Sequence, residues 1–74
     1  MLAVEIYYYE AEEPITVQLE DDRAAAESYL ADLRRDVAEA QERGRPRLRI
    51  DPREPSQESH IVEPSKIQRV ILVE

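Results

Sequence analysis

The chain has 74 residues, 17 acids against 10 bases, and a formal net charge of −7. That length accommodates one small domain, residues 1–74, and no second core. With 42% apolar and 36% charged residues the composition fits neither a disordered tail nor a membrane span. There is no Cys, which removes disulfide scaffolds, thiolate metal sites and thiol nucleophiles.

The charge is segregated. Residues 1–22 hold seven acids (Glu5, Glu10, Glu12, Glu13, Glu20, Asp21 and Asp22) and no base. Arg43, Arg45, Arg47, Arg49 and Arg53 crowd the middle of the chain, with Asp51 alone against them. Glu5 interrupts the N-terminal apolar run, so no secretory signal is expected and a cytoplasmic location is the default.

Leu2 to Tyr9 alternates with period two and is rich in β-formers, which predicts a strand. Leu2, Val4, Ile6 and Tyr8 share one face, with Ala3, Glu5, Tyr7 and Tyr9 on the other. A polar turn ending at Pro14 leads into a second alternating run, Ile15, Val17 and Leu19. The two runs are expected to pair as an antiparallel hairpin.

Ala26, Tyr29, Leu30, Leu33, Val37 and Ala40 recur at spacings of three and four, the stripe of an amphipathic helix. Asp21 or Asp22 supplies its N-cap. Gly44, the one glycine in the chain, suits the left-handed residue that ends a helix, and Pro46 prevents continuation. Arg47 to Ile50 reads as a short strand and Asp51 to Glu58 as a loop. His60-Ile61-Val62 can add a short strand, a turn follows around Pro64, and Ile67 to Glu74 closes the chain as a strand. The predicted class is α+β: one amphipathic helix on a small, mostly antiparallel sheet, ordered β-β-α-β-β, or β-β-α-β-β-β where His60–Val62 adds a fifth short strand. The first and last strands are the most apolar and are expected at the centre.

The last strand is apolar on both faces: Ile67, Ile71 and Val73 on one, Val70 and Leu72 on the other. A single helix covers one face of a sheet. A second copy of the chain is the simplest cover for the remainder, so a homo-oligomer, most simply a dimer, is expected. The residues assigned to that interface are Tyr7, Tyr9, Val70 and Leu72.

The string Arg43-Gly44-Arg45-Pro46 resembles the core of an AT-hook, whose arginines enter the minor groove of A·T-rich DNA. The helix stop and a following strand account for the same letters. Arg43, Arg45, Arg47 and Arg49 together form a candidate phosphate-binding patch, opposed by the net negative charge. The acids from Glu10 to Asp22 offer a third reading, as an inhibitor that imitates nucleic acid. They also offer carboxylates for a divalent cation, but lack a calcium-loop pattern. Catalysis is poorly provided for. His60 is the sole histidine, and its neighbour Ser59 would point to the opposite face of a strand. No catalytic, metal or cofactor residue is assigned. The expectation is a non-enzymatic interaction or regulatory module without a cofactor.

Overall fold

The computed structural model describes residues 1–53 and 57–74. The expected loop from Asp51 to Glu58 therefore lies partly outside the described residues. The elements, in chain order, are β1 (Ala3–Tyr8), β2 (Ile15–Gln18), α1 (Arg23–Glu42), β3 (Leu48–Ile50), β4 (His60–Val62), a 3-10 turn (Pro64–Lys66) and β5 (Ile67–Val73). This is the α+β arrangement the periodicities predict, with the short strand at His60 formed.

The strands divide into two antiparallel sheets. One has three strands in the order β2-β1-β5, and the other pairs β3 with β4. β1 is central as expected, whereas β5 lies at an edge. Apolarity on both sides of β5 signals burial, but it does not distinguish a central strand from an edge strand with a helix beside it.

Register settles which faces meet. Val4 pairs with Val17 and Leu72, and Ile6 with Ile15 and Val70. These side chains form the inner face, under α1 and the β3–β4 pair. Val4, Ile6 and Val17 are buried there with Leu33 and Val37 of α1 and Ile50 and Val62 of the short sheet. A register shift between Tyr7 and Tyr8 pairs Tyr7 with Arg69 but Tyr8 with Ile67. The additional β5 residue, Gln68, forms a β-bulge that turns Ile67 inward, so Ile67 and Val70 are both buried.

The helix starts where Asp22 Oδ1 accepts from the Ala25 amide at 3.2 Å, so the cap is Asp22. At its other end Gly44 has φ +64°, its amide donates to Gln41 O, and the Arg45 amide donates to Ala40 O. That pair of bonds is the Schellman stop expected of a left-handed glycine.

α1 runs beside β5 and is tied to it by one polar stripe. Arg23 pairs with Glu74, Arg34 donates to Val70 O, and Gln41 Nε2 donates to Pro64 O at 2.8 Å. Positions 23, 34 and 41 are separated by near-integral numbers of helical turns, which places them on one side of the helix. No helix among the described residues is long and apolar enough to cross a membrane.

Candidate protein-interaction surface

The outer face of the three-stranded sheet is built by alternation. Ala3, Glu5 and Tyr7 of β1 lie between Gln18 and Thr16 of β2 and Val73, Ile71 and Arg69 of β5. Ala3 is flanked by Gln18 and Val73, Glu5 by Thr16 and Ile71, and Tyr7 by Arg69. Tyr7, Ile71 and Val73 are half-buried and belong neither to the core cluster nor to its packed rim.

The polar groups of this face are organised around Tyr7. Its hydroxyl donates to Glu5 Oε1 at 2.9 Å, and the Arg69 guanidinium stands 4.4 Å from the ring centroid. The Glu5 carboxylate accepting that proton raises the Tyr7 hydroxyl above its ordinary pKa, with Arg69 opposing. The cation is attracted to the negative face of the ring. Glu5 and Arg69 balance one another, so the face is neutral in a chain of net charge −7.

The expected grouping of Tyr7, Tyr9, Val70 and Leu72 on one uncovered face does not form. Val70 is buried, and Leu72 packs against the core cluster. Both point to the helix side because they pair with Ile6 and Val4. Tyr9 lies beyond the end of β1, 70% exposed, with its amide bonded to Lys66 O. Of the four, Tyr7 alone lies on the outer face. Its β5 companions there are Arg69, Ile71 and Val73. Alternation within β5 had already put Ile71 and Val73 together; the missing information was which face of β5 met which face of β1.

The arginine segment is distributed among acids. Arg43 pairs with Glu39 at 3.1 Å. Arg49 pairs with Asp51 at 2.7 Å, and Ser59 Oγ donates to the same carboxylate oxygen at 2.8 Å. These bonds hold the Asp51 carboxyl below its ordinary range, Ser59 first and Arg49 second. Arg45 borders a shallow groove shared with Asp36 and Glu39, and Arg47 is exposed.

The acidic segment is likewise spread out. Glu10 pairs with Lys66 at 3.5 Å, and Asp22 caps the helix. Among the described residues no group of three or more His, Asp or Glu side chains is placed to hold a metal ion. His60 is half-buried in β4 opposite Ile50, while the Ser59 hydroxyl is engaged by Asp51. A surface groove of about 290 Å³ is lined by Tyr8, Glu10, Ala11, Ile61, Val62, Glu63 and Lys66. Lys66 there pairs with Glu10 and Glu63, which raise its pKa, Glu10 foremost. An ammonium held charged in this way is a poor nucleophile or base.

A small α+β domain with one covered and one open sheet face is what the fold defines. Comparison with protein-family models, curated proteins and solved structures gives no match for this chain.

Proposed function

We propose that this chain is a small non-enzymatic protein-interaction module whose working surface is the outer face of the β2-β1-β5 sheet. The observation that carries the reading is the position of Tyr7, Ile71 and Val73, which are apolar or aromatic, share one face with Ala3, and lie outside the core. Partly exposed apolar groups gathered on one surface favour association, because joining them to a partner removes the rest of their area from water. The internal pairing of Arg43 and Arg49 weakens the competing phosphate-binding reading, and the acids beside Arg45 weaken it further.

The test is site-specific photo-cross-linking in cells from a reactive side chain at Thr16, which lies on the outer face beside Glu5. Discrete protein adducts are expected, and they should disappear when Ile71→Glu is added to the same chain. Absence of any adduct, or adducts indifferent to Ile71→Glu, overturns the proposal.

A further inference from the structure

We infer that the occupant of the outer sheet face is a second copy of this chain, an inference that rests on the interaction reading above. The argument is charge complementarity. A surface that meets its own copy across a two-fold axis must complement itself: if one residue contacts another, the reverse contact forms as well. The outer face carries one acid, Glu5, and one base, Arg69, on diagonal corners of a four-residue block whose other corners are Tyr7 and Ile71. Among the described residues no ion pair joins Glu5 to Arg69 within the protomer; both are engaged by Tyr7 instead.

A two-fold axis lying between two such faces, along the Tyr7–Ile71 diagonal, sets each Glu5 over the partner's Arg69. It also sets Tyr7 against Tyr7 and Ile71 against Ile71. Two ion pairs then flank an apolar centre. The surplus negative charge lies elsewhere, on Glu10, Glu12 and Glu13 and on Glu20 to Asp22, all exposed and none on the outer-face strands. A chain of charge −7 repels its own copy most weakly across a neutral face.

The face is small. Three strands of this length present roughly 10 by 20 Å, well short of the roughly 800 Å² per partner of standard interfaces. The dimer is therefore expected to be weak, forming only toward the upper end of the micromolar range.

The test is a charge exchange read by sedimentation equilibrium, with far-UV circular dichroism on every variant to confirm folding. The wild-type chain should dimerise as concentration rises through the micromolar range. Glu5→Arg and Arg69→Glu should each weaken self-association at least tenfold, because each sets like charges opposite one another. An equal mixture of the two should recover a dimer containing one copy of each, since one face is then doubly basic and the other doubly acidic. Ile71→Lys removes the apolar centre and gives a monomer; it stands in if a charge variant fails to fold.

A wild-type monomer throughout, or single variants that associate as well as wild type, overturns self-pairing. If Thr16 cross-linking then still captures a different protein in an Ile71-dependent way, the interaction reading survives without it. If cross-linking also fails, both are wrong.

Discussion

Arg34, midway along α1, donates from both Nε and Nη2 to the carbonyl oxygen of Val70 in β5, at 3.0 and 2.8 Å. Val70 opposes Ile6, and Ile6 already faces β2 with its backbone groups, so those of Val70 point away from the sheet. The guanidinium thus occupies a position that an added strand would need. On the opposite edge, Gln57 Nε2 donates to Gln18 O at 3.0 Å and does the same for β2. Edge strands left open are templates for pairing with other chains. Here a side chain takes up a backbone carbonyl on each edge of the three-stranded sheet.

Removing the helix-to-edge bond should have two effects. Arg34→Met keeps the aliphatic stem but loses the donors, and should lower stability by about 1–2 kcal/mol, in the range of a hydrogen bond from a charged group. Urea unfolding at neutral pH measures it. The variant should also scatter more light on prolonged incubation, because the β5 edge becomes available. Unchanged stability and unchanged scattering together would show that the bond has no protective role.

The helix cap discriminates between adjacent acids. Asp22→Ala should cost about 1 kcal/mol, since the Ala25 amide loses its acceptor. Asp21→Ala should change the urea midpoint little. At the other end, Gly44→Ala meets no atom within 4 Å, so its cost of about 1 kcal/mol arises from the positive φ alone. Gly44→Asn should cost less, because Asn tolerates that conformation better.

Core and surface isoleucines should separate widely. Ile6 is 0% exposed and Ile61 is 63% exposed. Ile6→Ala should destabilise by about 2–5 kcal/mol, enough to leave a domain of this size largely unfolded. Ile61→Ala should stay within about 0.5 kcal/mol. Thermal unfolding of the two variants beside wild type checks the contrast.

The Asp51 cluster gives a sign for pH dependence. Ser59 and Arg49 lower the Asp51 pKa in the folded state. A depressed carboxylate contributes stability that is fully present above its unfolded value, near 3.8, and is lost as pH falls through the lower folded value. Asp51→Asn should therefore reduce the loss of stability on acidification below that range, with its largest difference from wild type near neutral pH. Urea midpoints from pH 2 to pH 7 test the shape; parallel curves for the two proteins would contradict it.

Much of this fold is legible in the residues. The apolar stripe from Ala26 to Ala40 marks the helix, and one left-handed glycine marks its end. Alternation in Val4, Ile6 and Val17 marks the hairpin and its inward face. The candidate surface is harder to read. β5 is apolar on both sides, so periodicity carries no preference for which side faces the helix, and the bulge at Gln68 reverses alternation between Ile67 and Val70. The division into sheets of three and two strands depends on long-range pairing that short strands such as Leu48–Ile50 do not announce. Arg34 has no distinguishing neighbour in the sequence; its role depends on β5, 36 residues further along the chain.

The polar stripe of Arg23, Arg34 and Gln41 fastens the helix to the last strand and to the residues on either side of it, Glu74 and Pro64. Detachment is therefore a joint event: a fluctuation that peels β5 away uncouples the helix and bares the flank of β1 simultaneously. The same three side chains that steady the protomer would thus set how often it presents a sticky ribbon, the species from which open-ended polymers grow.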